Sequence, residues 1–142
     1  MKRIEINFNE RKGYEAPMGS PRPRFRRVGK HVHTYMPDKY MNHKDFIKAQ
    51  LPKLMIDTPI KLTIEFHFPL LKSWSKKKHV AMVGQYKRTK PDIDNLIKTV
   101  LDAANGHVWQ DDNQIVEIRS FKKYAETPKV IMELEYWSDL NE

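Results

Sequence analysis

Lys90-Pro-Asp-Ile-Asp-Asn-Leu-Ile-Lys-Thr-Val-Leu-Asp-Ala-Ala104 is the stretch with the clearest periodicity in the chain. Its apolar residues recur at intervals of three and four, at positions 93, 96, 97, 100, 101 and 104. This spacing puts them on one face of a helix, so the stretch predicts a core helix near 93–104. Pro91 and Asp92 suit the start of that helix, and Asn105-Gly106 suits its end as a left-handed C-cap.

The rest of the chain predicts an α+β fold. Alternating apolar residues indicate a mixed sheet of about four strands, near residues 3–8, 61–68, 115–121 and 130–137. A second main helix is expected near 38–51, and a short helix is compatible with 74–82. We therefore expect one domain over residues 1–142, which is an ordinary length for a single core.

Prolines and glycines are dense between the first predicted strand and the predicted helix near 38–51. They predict a flexible basic loop near 10–37 rather than a helix or a central strand. His31 and His33 in this loop have strand-like spacing but no acidic or third histidine partner. This favours a structural role over metal binding.

Several protein classes are disfavoured by composition. No apolar run approaches the roughly 20 residues that span a bilayer, and the N-terminus does not resemble a secretory signal. The chain has no cysteine, which suits a reducing compartment, so we expect a cytoplasmic protein with no membrane association. It also has no glycine-rich phosphate loop, and we expect no small-molecule cofactor.

The net charge of +8 is unevenly distributed. Residues 1–90 hold 21 Lys and Arg against 7 Asp and Glu, whereas residues 91–142 hold 5 against 11. A basic segment can hold a polyanion such as DNA, although a solvated basic surface would look similar. The candidate DNA-binding residues are Arg22, Arg24, Arg26, Arg27, Lys76, Lys77, Lys78, Lys87, Arg88 and Lys90.

Carboxylates cluster in the acidic part. Asp92 and Asp94 stand at the start of the predicted core helix, and Asp111-Asp112 follow the helix after a short turn. If they converge they repel each other, and Lys98 alone does not neutralise three of them. Mg²⁺ held by carboxylates and a phosphate is the usual solution in phosphoryl chemistry. A structural alternative has a capping aspartate, a polar turn and a surface salt bridge.

The signature over 90–103, together with Asn105-Gly106 and Trp109-Gln-Asp-Asp-Asn-Gln-Ile115, closely resembles that of the RusA-type Holliday junction resolvases. The segments Pro21-Arg22-Pro23-Arg24-Phe25 and Tyr35-Met36-Pro37 also resemble that family, so the resemblance covers nearly the whole chain.

The resemblance implies a homodimeric endodeoxyribonuclease that uses Mg²⁺, with Mn²⁺ as an alternative, to nick two like strands of a four-way DNA junction in recombination and repair. Its catalytic set falls on Asp92, Asp94, Asp112 and Lys98, and its metal ligands on the three aspartates. Asp111 would be a helper or a mere neighbour.

Two other functions use the same features. A structure-selective nuclease that prefers forks or flaps would share every catalytic residue. A non-catalytic DNA-binding protein would use the basic segments, and its acidic cluster would be structural. Metal-dependent cleavage of a junction, a fork and a linear duplex, measured side by side, separates the three.

Overall fold

The computed structural model describes residues 1–136. Nine helices and strands follow one another in these residues, with a short 3-10 turn at Asp112–Gln114. In chain order they are β1 (Lys2–Asn7), β2 (Arg24–Val28), β3 (His31–Tyr35), α1 (Asp38–Lys48), β4 (Ile60–Pro69), α2 (Lys76–Met82), α3 (Ile93–Ala104), β5 (Ile115–Ala125) and β6 (Lys129–Tyr136).

The main sheet has the strand order β1-β6-β4-β5. β4 and β5 run parallel, whereas β6 is antiparallel to both β4 and β1. A parallel pair needs a long crossover, and the chain between β4 and β5 supplies it with α2 and α3. The prediction of a mixed sheet of four strands in an α+β domain is confirmed.

The core lies on one face of this sheet. Along β4 the residues at positions 60, 62, 64, 66 and 68 are all buried, and those between them are more exposed. α3 packs its apolar face against them through Leu96 and Val100, and α1 adds Ile47.

No helix in residues 1–136 is long and apolar enough to cross a membrane.

α3 begins and ends where its periodicity predicts, at Ile93 and Ala104. The chain then turns at Gly106, whose φ of +70° is in the left-handed region that glycine adopts at little cost. Asn105 has an extended backbone instead, so the left-handed position belongs to the glycine alone.

α1 ends at Lys48, three residues before the predicted end, and turns through Ala49. It also buries a residue that the apolar pattern omits, His43. The His43 Nδ1–H donates to the Gly13 carbonyl oxygen at 3.0 Å, and the ring stacks on Phe8. A hydrogen bond and an aromatic neighbour let an imidazole occupy a core position.

The expectation of a loop without regular structure near 10–37 is wrong for residues 24–35, where β2 and β3 form an antiparallel hairpin. Pro21 and Pro23 precede β2, so they remove no hydrogen bond from the ladder. Gly29 begins the two-residue turn with φ +60°, the conformation a type II′ turn requires of its first central residue.

The remaining predicted bounds shift by a few residues. β5 extends to Ala125, beyond the predicted end near 121. β6 covers Lys129–Tyr136, and the predicted last strand residue, Trp137, lies outside the described residues. The short helix compatible with 74–82 is α2.

Residues 84–87 cover part of the β5 edge. The Gly84 N–H donates to the Tyr124 carbonyl at 2.8 Å, and the Lys87 N–H donates to the Lys122 carbonyl at 3.0 Å. These two hydrogen bonds fix the path of the chain shortly before Pro91 and the start of α3.

Candidate active site

Two exposed carboxylates lie at the start of α3. Asp92 occupies the N-cap position and Asp94 the first turn, and both side chains are exposed. The Asp92 carboxylate makes no capping hydrogen bond. A purely structural capping role therefore does not account for Asp92, and both groups remain available to a ligand.

The backbone before Asp92 is held from the sheet. The Lys122 Nζ on β5 donates to the Thr89 carbonyl oxygen at 2.7 Å and to the Pro91 carbonyl oxygen at 2.8 Å. In the described part of the chain, residues 88–91 form no backbone–backbone hydrogen bond. The ammonium of Lys122 is therefore the main polar anchor of this segment.

A second anchor comes from the N-terminal part of the chain. The Ser20 N–H donates to the Asn95 carbonyl at 2.9 Å, and a Cβ on Gly19 would lie 3.2 Å from the Cβ atoms of both Pro91 and Asn95. The close approach favours glycine at this position, because any Cβ would have to displace these neighbours by a few tenths of an ångström. A cavity of about 530 Å³ lies beside it, lined by Gly13, Glu15, Ala16, Pro17, Met18, Gly19, Ser20, Lys39, Lys90, Pro91, Asp92 and Asn95.

Asp112 lies at the other end of α3. Its Oδ1 accepts a hydrogen bond of 2.7 Å from Nε1 of the fully buried Trp109, and its N–H donates to the Asn105 Oδ1 at 3.0 Å. The indole fixes one carboxylate oxygen, and no hydrogen bond within residues 1–136 occupies the other. Burial raises the pKa of Asp112, the Trp109 hydrogen bond lowers it, and the charges of Asp102 and Asp111 raise it further.

Asp111 has a local structural role. Its side chain accepts from the Asn113 N–H at 3.0 Å, and Gln114 Oε1 accepts from the Asp111 N–H at 2.8 Å. This reciprocal pair caps the 3-10 turn. Because its carboxylate already stabilises the turn, the contacts favour the view of Asp111 as a neighbour of the site.

One chain does not bring the three proposed metal ligands together. α3 separates Asp92 from the turn that holds Asp112, and its 12 residues span about 18 Å at 1.5 Å per residue. Among residues 1–136 no group of three or more Asp, Glu, His or Cys side chains is placed to hold a metal ion. The carboxylate oxygens are suitable ligands for Mg²⁺, but Asp92 and Asp94 lie at one end of α3 and Asp112 lies at the other.

Lys98 is exposed on α3, one turn after Asp94 and one turn before Asp102. None of the ion pairs within the described residues involves Lys98 or these aspartates. Asp102 instead accepts a hydrogen bond of 3.0 Å from the Tyr40 hydroxyl. The alternative of a surface salt bridge at Lys98 is not found.

The predicted DNA-binding residues fall into three groups. Arg24, Arg26 and Arg27 lie on β2, and Arg22 lies just before it. Lys76, Lys77 and Lys78 form the exposed first turn of α2, with the Lys78 Nζ 4.6 Å from the centre of the Trp74 ring. Arg88 and Lys90 are exposed on the segment that leads to Asp92.

Lys87 differs from the others in that group. Its Nζ donates to the Thr89 hydroxyl at 2.7 Å and lies over the rings of Phe68 and Tyr124, at 5.3 Å and 5.2 Å from their centres. These contacts engage the ammonium within the fold. Lys87 is therefore better placed to support the segment than to bind phosphate directly.

Sequence reasoning missed Lys122, Gly19 and the role of Trp109. Lys122 and Gly19 act on the start of α3 from more than 30 and 70 positions away, and no local pattern marks either. Trp109 carried a usable signal, because an indole three residues before a carboxylate can donate to it across a tight turn.

Two comparisons with known proteins identify relatives of this chain. The family model described as endodeoxyribonuclease RusA matches residues 15–135. The chain is also 34% identical over 125 residues to the uncharacterized protein YqaN of Bacillus subtilis (strain 168), covering 82% of this chain and 88% of that protein.

Proposed function

The chain belongs to the RusA endodeoxyribonuclease family, and from this premise we propose that it hydrolyses phosphodiester bonds at four-way DNA junctions during recombination and repair. The observation that carries the proposal is the pair of exposed carboxylates of Asp92 and Asp94, which follow the exposed basic residues Arg88 and Lys90 in the chain.

The ligand chemistry supports a divalent cation. Aspartate oxygens are hard donors of the kind Mg²⁺ prefers, and Mn²⁺ accepts the same donors. When bound, such an ion would polarise the scissile phosphate and supply a hydroxide nucleophile. The residues proposed to hold it are Asp92, Asp94 and Asp112.

Asp92 and Asp94 lie at the start of α3, whereas Asp112 lies near its end. The proposal therefore requires a second copy of the chain. Asp92 and Asp94 of one subunit would be completed by the Asp112 of its partner, and a two-fold axis would generate two such sites. The same symmetry suits the pseudo-two-fold arrangement of a four-way junction, in which two like strands are cut. A homodimer with paired nicks is therefore part of the proposal.

The protein groups have distinct proposed roles. Trp109 holds one oxygen of Asp112 in a fixed direction and leaves the other oxygen for the ion. Lys98, exposed and without an acidic partner in residues 1–136, can stabilise negative charge that develops on the phosphate or orient the attacking water. Cleavage would leave 5′-phosphate and 3′-hydroxyl ends.

The first test compares substrates. The purified protein with Mg²⁺ is incubated with a four-way junction, a fork and a linear duplex that share arm sequences. We expect paired nicks in the junction and little cleavage of the duplex. Preferential cleavage of the fork would replace the proposal with the structure-selective alternative, and binding without any cleavage would favour a non-catalytic protein.

The second test asks whether the site spans two chains. Asp94→Asn and Asp112→Asn chains are co-expressed with different tags, and mixed dimers are isolated. Each pure variant should fail to cleave, whereas a mixed dimer keeps one site with all its aspartates. We expect it to nick one strand of each junction without making the paired cut.

Mixed dimers as inactive as the pure variants would place each site within one chain. Undiminished cleavage by pure Asp94→Asn protein would remove that residue from the metal site. Tighter DNA binding by either variant is expected, because removing a negative charge reduces repulsion of phosphate.

A further inference from the structure

The β2–β3 hairpin is a small sheet of its own, separate from the main one. All ten residues of its two strands are exposed. A two-stranded hairpin in water is marginally stable without something packed on it. An exposed hairpin with unusual surface chemistry is therefore a candidate for binding a partner.

One face of the hairpin is cationic and aromatic. In an antiparallel pair, directly opposed residues point to the same side, and here Arg24 opposes Tyr35 while Arg26 opposes His33. The guanidinium carbon of Arg26 lies 5.8 Å from the centre of the Tyr35 ring, which limits the freedom of the arginine. This face presents two arginines to an anion.

The opposite face has two exposed apolar residues beside one arginine and one threonine. It carries Phe25, Arg27, Val32 and Thr34 according to the strand register. Phe25 is 69% exposed and Val32 is 67% exposed, and these are among the largest apolar exposures in the described residues. An aromatic ring held this far out contributes nothing to the core.

Charge decides which partner fits both faces. Between Glu15 and Asp38 the chain has no acidic residue and five basic ones, Arg22, Arg24, Arg26, Arg27 and Lys30. A second copy of the hairpin would bring like charges together, whereas a polyanion neutralises them. A polyanion is therefore the occupant that fits, and on the proposed function that polyanion is DNA.

We infer that the hairpin is a DNA-binding arm whose Arg24 and Arg26 face follows backbone phosphates, and whose Phe25 stacks on a base at the branch point. The inference rests on the proposed function and adds a source of preference for branched DNA. Inside a duplex both faces of each base are covered, but a branch interrupts the stack and exposes a base to an aromatic side chain.

Binding measured without metal tests the arm separately from cleavage. Fluorescence anisotropy in EDTA gives the affinity of the full chain for a labelled four-way junction and for a linear duplex of equal length. We expect Phe25→Ala to weaken junction binding about tenfold, in keeping with the loss of one base–aromatic stack, and to leave duplex binding unchanged.

Arg26→Gln should behave differently. It should weaken binding to both DNAs and reduce the slope of log affinity against log salt by about 1, as expected for one lost phosphate contact. Val116→Ala is the matched control for Phe25→Ala. Val116 is also an exposed apolar residue, 62% exposed, but it lies on β5 in the main sheet and not in the hairpin. It should leave both affinities unchanged.

Further variants of Phe25 separate stacking from hairpin folding. Phe25→Trp should retain junction affinity, whereas Phe25→Leu should lose it despite its apolar side chain. Equal losses on junction and duplex, or full affinity in Phe25→Leu, would overturn the stacking role. Reduced self-association of Phe25→Ala in ultracentrifugation, with DNA binding intact, would assign the face to a second copy instead.

Failure of the arm and failure of the nuclease proposal are distinguishable in these experiments. A protein that shows the Phe25 effect but cuts no DNA would retain the arm and lose the proposed activity. A protein that cuts junctions without the Phe25 effect would do the reverse.

Discussion

Replacing Lys122 by methionine should damage catalysis far more than folding. Lys122→Met keeps the length of the side chain but removes the ammonium that donates to the Thr89 and Pro91 carbonyl oxygens at 2.7 Å and 2.8 Å. A hydrogen bond to a charged group contributes about 1.5–3 kcal/mol when buried. One of these hydrogen bonds is exposed and the other is only partly buried, so we expect a combined loss of about 1–2 kcal/mol in unfolding free energy.

The effect on cleavage follows from position. Asp92 directly follows the segment that Lys122 anchors. Within the part of the chain that the structure describes, residues 88–91 of this segment form no backbone–backbone hydrogen bond. A displacement of about 1 Å in a catalytic group can cost about 100-fold in rate. We therefore expect the single-turnover cleavage rate, measured at saturating protein on a four-way junction, to fall by about 10- to 100-fold.

Lys123→Met is the matched control for the lost charge. Lys123 is the next residue on β5, and its Nζ lies 3.5 Å from Glu65. Thermal unfolding of both variants would establish whether the fold persists. A Lys122→Met rate close to that of the unaltered protein, or an equal loss in Lys123→Met, would refute the anchoring argument.

Three other substitutions test the surroundings of the site. Gly19→Val puts a side chain where a Cβ alone would lie 3.2 Å from two carbons at the start of α3, and should slow cleavage by displacing Asp92, as single-turnover assays would show. Trp109→Phe removes the 2.7 Å hydrogen bond to Asp112 and should lower unfolding free energy by about 2 kcal/mol in denaturant titrations, together with cleavage. Burial lowers the pKa of His43, so the folded state binds fewer protons than the unfolded state, and stability should fall from about pH 7.5 to about pH 5.5. His43→Gln should flatten part of that slope in melting curves; an unchanged slope would contradict this assignment.

The elements that the sequence predicted well are those with long, regular patterns. α3 has six apolar positions in helical register, and β4 alternates cleanly, so local propensity and burial agree. The hairpin was missed because glycine and proline density near residues 13–37 masked two five-residue strands. Its prolines lie outside the ladder, which composition alone does not reveal.

The site was only partly predictable for a different reason. The residue types of Asp92, Asp94 and Asp112 are readable from their motif, but their separation depends on the path of the chain after α3. The turn at Gly106 leaves Asp112 at the helix end opposite Asp92. Lys122 acts across the sheet, and such contacts leave no trace in a linear pattern.

The length of α3 has a consequence for how the activity would be controlled in a cell. On the proposed arrangement, each chain carries one half of a catalytic centre at each end of α3, so a single chain would be inactive. On the proposed arrangement, newly made or dilute chains cannot nick DNA, and activity rises steeply with concentration as pairs form. The geometry of one helix would then restrain a potentially damaging enzyme without an inhibitor.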